Sequence, residues 1–469
     1  MKFLFYLNIK SFKTINLLYL TCGIKRVALK LIYQIKQNEM KIRFIKAFCI
    51  CLLFSVSAKS QNFNEPVFQN KVYDDKIKTV QLYRPEWNLS YPIMTLNSND
   101  QLVLNFDQLG NRSEAFYYTF IHCTKDWAKS PIFEQDYIEG FNTNPVEDYR
   151  PSFNTTTAYY HYKVSFPNDR VKLKRSGNYV IIVYSISEPD KPVLCQRFMI
   201  TENTVRINVE THRPLRTENN NTGQQVDFTI SQIGSNIINP MQNIYAFVLQ
   251  NGRWDNARIN LKADFYRINE MKYSSLSDKN VFTGGNEFRY FDIKSLRYMS
   301  EYIKSVDFVP PNYNVLLFPS ENREFKPYFF NPDFNGKYYV AIQEGRDFDT
   351  EADYINVFFT LPARQKVAGG EMYVSGALNN WAFDKNNLMT YNPSSGQYEC
   401  VMLLKQGYYN YEYAFLKNGA TDGSVSEFEG NHYETENDYI VLVYYRNPQD
   451  RYDRLIGINV ANTTNKLSN

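Results

Sequence analysis

The sequence is poor in the residues on which metal sites and most hydrolase active sites are built. Among 469 residues there are four histidines, and none has another histidine three or four positions away. Helical zinc motifs need such a pair, and the nucleophile-elbow, Walker and dinucleotide-binding motifs are also missing. His122 and Asp126 come nearest to a metal pair, but no third ligand lies close by, so a structural histidine is favoured. The sequence therefore predicts no enzymatic activity, no cofactor and no metal site.

An excess of charge of either sign is also lacking, since the net charge is +3. The first 60 residues hold 11 of the 52 basic residues but only one of the 49 acidic ones. Residues 61–469 therefore carry 41 basic and 48 acidic residues, a net charge of −7. No basic stripe of the kind that binds nucleic acid occurs in this part, so we expect no nucleic-acid partner.

The basic front end is typical of a targeting segment. Basic residues precede an apolar run at 47–56, and Ala58 and Ser60 close small-residue cleavage sites. This layout predicts a secretory signal peptide over residues 40–60, with a buried helix as the alternative. Residues 1–39 are then a mis-assigned upstream extension. The apolar run is too short to span a bilayer, and no later stretch approaches 18 apolar residues, so no transmembrane span is expected.

Cysteine is scarce as well. Removal of the leader leaves Cys123, Cys195 and Cys400, which are far apart and odd in number. Such spacing does not make a disulfide framework. We expect three buried, apolar thiols, and one long-range bridge in an oxidising compartment stays open.

Short aromatic and β-branched runs separated by turn residues dominate the rest of the chain. This pattern predicts an all-β protein of three consecutive, immunoglobulin-like β-sandwiches. The predicted boundaries are 65–203, 204–362 and 363–447, followed by a polar tail at 448–469. Residues 285–306 fit helical and extended spacing about equally, and their type is left open.

A local pattern near the N-terminus predicts one more detail. Residues 93–96 and 101–106 flank the turn-rich tetrapeptide Asn-Ser-Asn-Asp, which favours a β-hairpin.

One motif indicates a possible carbohydrate-binding site. The sequence GALNNW at 376–381 resembles the signature of glycogen-binding, immunoglobulin-like modules, in which a Trp stacks on a sugar ring. Asn379, Asn380 and Trp381 are the carbohydrate-binding candidates. Leu378 replaces the Phe of that signature, and related sandwiches use this corner for packing, so a structural use of Trp381 is the favoured alternative.

A series of short phrases gives a more specific resemblance. In order along the chain they are residues 80–84, 89–93, 102–107, 117–119, 121–123, 126–127, 137–141, 153–155, 161–162, 167–168, 176–179, 376–381, 389–392 and 404–411. Their number and order resemble the plug protein family of the bacterial type IX secretion system. The resemblance covers most of residues 65–446.

The resemblance implies a non-enzymatic protein of the periplasm, associated with the outer membrane. Its implied partner is the outer-membrane translocon β-barrel, whose pore it plugs at the periplasmic end when no cargo passes. It implies a monomer within a larger complex and assigns no contacting residues. The alternatives are a periplasmic or surface carbohydrate-binding protein using the C-terminal domain, cargo of the same system, and a hydrolase using the loop carboxylates between residues 133 and 149.

Overall fold

The computed structural model describes residues 68–214, 217–234, 237–274 and 278–464. These residues lie in one compact unit, Glu65–Asn469. Strands account for 48% of the structure and helices for 7%, which confirms the all-β prediction. The predicted extension 1–39 and signal peptide, with Ala58 and Ser60, fall outside the described residues and stay predictions.

The α-helices of the described part are single turns of four residues. They are α1 (Glu134–Tyr137), α2 (Pro240–Asn243), α3 (Phe348–Glu351) and α4 (Ser426–Glu429). Within the described ranges, none of the helices has the length and apolarity needed to cross a membrane.

The first sandwich contains twelve strands. They are β1 (Lys71–Val72), β2 (Ile77–Tyr83), β3 (Ile93–Thr95), β4 (Leu102–Leu109), β5 (Phe116–Cys123), β6 (Ile138–Gly140), β7 (Asn144–Pro145), β8 (Asp148–Pro151), β9 (Tyr159–Phe166), β10 (Val171–Leu173), β11 (Gly177–Ser185) and β12 (Pro192–Thr201). One sheet has the order β1-β12-β11-β5-β7 with β3 beside β12, and the facing sheet has the order β2-β4-β9-β8. Aromatic side chains fill the space between them, with the Phe106 and Tyr162 rings stacked at 5.0 Å.

The hairpin predicted for residues 93–106 does not form. β3 runs parallel to β12 in one sheet, whereas β4 pairs with β2 and β9 in the other. The bend between them is held by the Asp100 carboxylate, which accepts hydrogen bonds from Thr95 N and Arg84 Nη2, both at 2.9 Å. The turn residues therefore carry the chain from one sheet to the other. β3 pairs with β12, and β4 pairs with β2 and β9, so β3 and β4 do not pair with each other.

The middle sandwich draws its strands from two distant parts of the chain. They are β13 (Arg206–His212), β14 (Gly223–Ser231), β15 (Ile244–Gln250), β16 (Arg258–Leu261), β17 (Phe265–Arg267), β18 (Glu270–Tyr273) and β19 (Val281–Thr283), with β29 (Asp438–Tyr445) and β30 (Arg454–Asn462) from the C-terminal end. One sheet has the order β13-β14-β18-β17 with β19 beside β14, and the other has the order β16-β15-β29-β30.

The third domain is inserted between β19 and β29. Its strands are β20 (Arg289–Asp292), β21 (Ile303–Val309), β22 (Asn312–Leu317), β23 (Tyr338–Val340), β24 (Tyr354–Pro362), β25 (Gly370–Ser375), β26 (Leu388–Asn392), β27 (Gln397–Lys405) and β28 (Gly407–Lys417). Neighbours follow the order β20-β28-β25-β26-β27-β24-β22-β21, with β23 also beside β28, around a single apolar core.

The sheets correct the predicted boundaries in two places. β24 pairs along its whole length with β27, from Tyr354 opposite Lys405 to Pro362 opposite Gln397, so no domain border falls at residue 362. The predicted polar tail contains β30, which pairs with β29 and closes the middle sandwich. The sandwiches are therefore not consecutive, and 204–362 and 363–447 are not separate domains. The open segment 285–306 forms no helix; it contains β20 and the start of β21, joined by an irregular connection at residues 293–302.

The sheet that carries β15 and β29 is buried on both faces. Val441 and Val443 pack into the middle sandwich core, whereas Ile440, Leu442 and Tyr444 pack against the outer face of the first sandwich. This explains why β29 reads as an almost unbroken apolar run, as central strands with two covered faces do.

A buried charge cluster joins the first sandwich to the inserted domain. The Asp107 carboxylate of β4 is 1% exposed and lies 2.6 Å from Lys405 Nζ, 2.7 Å from His161 Nδ1 and 2.7 Å from the Tyr354 hydroxyl. The ammonium group of Lys405 also lies over the Tyr159 ring, 4.2 Å from its centroid. Charges removed from water need such complete pairing to be tolerated.

His122 has a structural place in the first sandwich. Its Nε2 lies 3.0 Å from the Ser176 carbonyl oxygen and its Nδ1 lies 2.8 Å from Ser130 Oγ. Because a carbonyl oxygen only accepts, Nε2 donates and the neutral ring accepts from the serine hydroxyl. Asp126 instead pairs with Lys125. Within the described ranges, no group of His, Cys, Asp and Glu is arranged to hold a metal ion.

The three cysteines of the body, Cys123, Cys195 and Cys400, are buried and free. Burial raises the pKa of all three thiols, the effect expected of apolar surroundings.

The two-part middle sandwich leads to a truncation test. We expect a chain ending at Asn447 to lose the cooperative unfolding of the middle sandwich. Removal of β30 takes away the buried side chains of Leu455 and Ile456 and uncovers the apolar surface against which they pack. A chain ending at Thr464 keeps β30 and is the matched control. Urea unfolding and limited proteolysis measure the effect, and an unchanged midpoint for the shorter chain would contradict the pairing.

A second test concerns His122, for which burial lowers the pKa from 6.5 to about 4. The unfolded chain takes up the proton first, so stability falls as the pH drops from about 6.5 to about 4. The full effect is about 3 kcal/mol. We expect the difference in unfolding free energy between the wild type and His122→Gln to shrink over this range. A difference that does not change with pH would show that the ring is not held neutral.

Candidate protein-binding surface

Aromatic doublets occur on three neighbouring strands of the inserted domain. β20 carries Tyr290 and Phe291, β23 carries Tyr338 and Tyr339, and β28 carries Tyr408 and Tyr409. Successive side chains of a strand point to opposite faces of the sheet. Each doublet therefore places one ring in the core and one ring outside it.

The inner rings form a stack within the core. The Tyr409 ring lies parallel to those of Tyr338 and Phe291, at centroid distances of 5.0 and 5.1 Å. All three are buried, and this stack accounts for one member of each doublet.

The outer rings form a second stack on the opposite face. Tyr408 is stacked between Tyr339 at 5.7 Å and Tyr290 at 5.4 Å. Tyr302 meets Tyr290 edge-on at 5.0 Å, and Phe334 meets Tyr408 edge-on at 5.5 Å. We name these five side chains the aromatic face. Two of them, Tyr302 and Phe334, are exposed and the other three are half-buried.

Polar groups border the aromatic face. The Tyr290 hydroxyl donates to Glu301 Oε2 at 2.7 Å, which raises the pKa of Tyr290 above its usual value. Lys294 Nζ lies 5.8 Å from the centroid of the Tyr339 ring. An apolar centre with a polar rim is the usual anatomy of a protein-binding surface, and Tyr is enriched there.

A loop rich in phenylalanine flanks this surface. Residues 318–334 contain no regular strand or helix, and they begin where Phe318 N donates to the Tyr302 carbonyl oxygen at 2.9 Å. They end at Phe334, a member of the aromatic face. Phe325 and Phe329 of this loop are 90% and 79% exposed. Large apolar side chains grouped in this way on a surface mark an interaction site.

The Trp381 ring of the GALNNW corner has contacts within the protein. The Arg253 guanidinium lies over that ring, 4.7 Å from its centroid, and Phe288 meets it edge-on at 5.9 Å. A methyl group at Gly336 would come within 2.4 Å of Trp381 Cη2, so only glycine permits this approach. One face of the indole is therefore covered by a side chain of the middle sandwich.

The two asparagines of the corner shape its backbone. Asn379 Nδ2 donates to the Val374 and Ala382 carbonyl oxygens, and its Oδ1 accepts from Gly376 N. Asn380 adopts a left-handed conformation with φ of 55°, which asparagine tolerates well. Carbohydrate binding by Asn379, Asn380 and Trp381 stays a prediction, which titration of the chain with α-glucans would test.

Comparison with known proteins identifies the family. Residues 77–202 match a family model described as the first domain of the type 9 secretion system plug protein. A crystal structure of a hypothetical protein from Parabacteroides merdae has 35% sequence identity and a TM-score of 0.82, covering 85% of this chain and 100% of that one. The chain belongs to the type IX secretion system plug family.

Other solved structures resemble the chain only weakly. An alkylpurine DNA glycosylase from Pseudomonas fluorescens has 10% identity and a TM-score of 0.16, over 27% of this chain and 30% of that one. A serine-rich repeat adhesion glycoprotein from Streptococcus agalactiae has 9% identity and a TM-score of 0.13, over 81% and 96%. TM-scores this low carry no argument about fold or function. No curated protein matches the chain.

Membership of the plug family indicates a role related to type IX secretion, association with components of that system and a location at the cell envelope. It suggests a non-enzymatic component. Sequence reasoning missed the aromatic face, although a signal was present. Two adjacent aromatic residues in one strand cannot both enter a core on one side, so each doublet predicts an outward ring.

The contacts of Trp381 lead to a stability test. We expect Trp381→Ala to lower the unfolding free energy by about 2 kcal/mol, through lost packing and the lost cation–π contact with Arg253. Trp87→Ala is the matched control, because Trp87 is 59% exposed and its loss should cost less than about 0.5 kcal/mol. Chemical denaturation measures both, and equal losses would contradict a packing role for Trp381.

Proposed function

We propose that this protein plugs the pore of the type IX outer-membrane translocon from the periplasmic side while no cargo passes. Membership of the plug family is the observation that carries the proposal. A barrel that passes folded proteins is an open aqueous hole when idle, so the membrane keeps its permeability barrier only if something closes it. The protein is then exported to the periplasm and associated with the outer membrane.

Rigidity supports this proposal. A body that blocks a wide pore must not be compressed or bent by the flow of solutes. Residues 65–469 form one compact unit, and Asp107, buried between the first sandwich and the inserted domain, ties them together. A second buried pair, Arg253 Nη1 and Glu412 Oε1 at 3.0 Å, links the middle sandwich to the inserted domain.

The aromatic face supports the proposal because it offers a surface that can bind a partner protein. A plug must hold its partner and then release it, so an interface of moderate strength is needed. Tyrosine supplies contact area at low entropic cost while its hydroxyl keeps the free surface wetted. The aromatic face and residues 318–334 therefore supply the surface that contacts the translocon in this proposal.

The proposal is tested first by deletion and co-purification. The protein is expected to co-purify with the translocon barrel after native extraction of outer membranes. Deletion of its gene should increase uptake of a large, normally excluded fluorescent solute. Absence from the translocon fraction together with unchanged permeability would exclude plugging.

A double variant, Tyr290→Thr and Tyr408→Thr, tests the aromatic face. Threonine keeps the strand propensity of both positions but removes two outward rings, so we expect at least about tenfold weaker retention. The control is Trp87→Ala with Phe133→Ala, which removes two exposed rings of the first sandwich. Unchanged retention of the tyrosine variant, or equal loss in the control, would mean that another surface makes the contact.

A further inference from the structure

A cavity of about 290 Å³ lies between the middle sandwich and the inserted domain. Three segments and Asn437 line it. The segments are residues 250–258 from the end of β15 to the start of β16, residues 282–288 around the end of β19, and residues 412–426 of β28 and the turn that follows. The volume is at the lower end of the range for small-molecule sites. Exposed residues of the turn, such as Asp422, form its mouth.

The inner wall of the cavity presents a carboxylate oxygen with no bonding partner. Arg253 Nη1 donates to Glu412 Oε1 at 3.0 Å, and the rest of the Arg253 guanidinium pairs with Asp255. Glu412 Oε2 has no hydrogen-bond partner among the described residues. Glu412 lines the cavity and this oxygen is not sealed from solvent, so it is free to accept a hydrogen bond from a molecule in the cavity. Burial raises the pKa of Glu412 to about 7.

Another segment of the lining presents a donor. Arg258 Nε and Nη2 both donate to the Val281 carbonyl oxygen, at 3.2 and 2.7 Å. Within the described part of the chain, Arg258 Nη1 has no hydrogen-bond partner, and the guanidinium lies over the Phe282 ring at 4.9 Å. The cavity therefore offers a fixed acceptor and a fixed donor on separate walls.

The charges around the cavity nearly balance. Its lining carries Arg253, Arg258 and Lys417 against Glu412 and Asp422, and Asp255 and Glu427 pair with Arg253 and Lys417 from outside the lining. Burial lowers the pKa of Arg258, and the charge of Asp422 offsets part of that effect. An anionic or cationic ligand would gain little excess of opposite charge here, so the cavity suits a neutral, polar ligand.

Apolar surface completes the lining. Phe288 and Phe415 are buried side chains that border the cavity. A ligand with hydroxyl groups that both donate and accept, and with an apolar C–H face, matches all of these features.

We propose that this cavity binds one neutral sugar unit, with Glu412 Oε2 accepting from one hydroxyl and Arg258 Nη1 donating to a neighbouring one. The site differs from the predicted GALNNW corner, since Asn379, Asn380 and Trp381 do not line it. It also goes beyond plugging, because a sugar site would let the protein contact a glycan of the envelope or a free monosaccharide.

The test uses saturation-transfer NMR and isothermal titration on the whole chain. The probes are glucose, galactose, mannose and N-acetylglucosamine, each as the free sugar and as the end of a soluble oligosaccharide. Inorganic phosphate and glucuronate are the charged comparators. At least one neutral sugar is expected to bind, and the oligosaccharide arm decides whether a free sugar or a chain end is preferred.

Two variants locate the binding. Arg258→Lys removes the Nη1 donor, and Ala420→Tyr fills the mouth of the cavity from an exposed position without touching an ion pair. Both should weaken binding at least about tenfold. Thr421→Tyr is the matched control, because Thr421 is exposed in the same turn but does not line the cavity.

Thermal melts check that each variant folds. If Arg258→Lys does not fold, the effect of Ala420→Tyr on sugar binding alone decides whether the cavity is the binding site. Binding by no neutral sugar, binding by phosphate or glucuronate alone, or binding that Ala420→Tyr leaves unchanged would each overturn the proposal.

Discussion

The buried carboxylate of Asp107 is the interaction on which the arrangement of the domains depends. Burial alone raises the pKa of this group, but the charge of Lys405 and the hydrogen bond with His161 more than offset that effect, and the pKa lies below its usual value. An ionised carboxylate without water is stable only while all of its partners stay in place. Because Lys405 and Tyr354 come from the inserted domain, separating the domains would strand a charge and cost several kcal/mol. The cluster therefore acts as a lock and not as an ordinary surface ion pair.

A comparable charge cluster lies within the inserted domain itself. Glu429 is buried and accepts from the guanidinium groups of Arg289 and Arg323, which lower its pKa to about 2 against the effect of burial. Arg253 reaches from the middle sandwich to both Glu412 and the Trp381 ring. Charged groups sealed between domains resist sliding more than apolar contacts do, because they have strict geometric requirements. We expect a protein built in this way to keep one shape whether or not a partner is bound.

Local pattern was sufficient to predict the strands but not their partners. β29 and β15 are both apolar runs, and nothing in either run shows that they pair with each other across an insertion of about 150 residues. The predicted border at residue 362 failed for the same reason, since β24 and β27 each look complete alone. Asp107 and Lys405 lie 298 positions apart and look like unrelated surface charges in the sequence. Only the aromatic doublets carried a usable signal for the candidate surface, because strand geometry forces one ring of each pair outward.

The insertion of one domain within another sets the order in which the protein can mature. The first sandwich has all of its strands by residue 201, so it can fold before the rest of the chain is available. The middle sandwich lacks β29 and β30 until the last residues arrive, and long-range pairing of this kind is slow. Its completion covers the outer face of the first sandwich through Ile440, Leu442 and Tyr444. A partly delivered chain thus keeps an apolar sheet face uncovered, which chaperones can recognise, and only a fully delivered chain presents a finished surface to its partners.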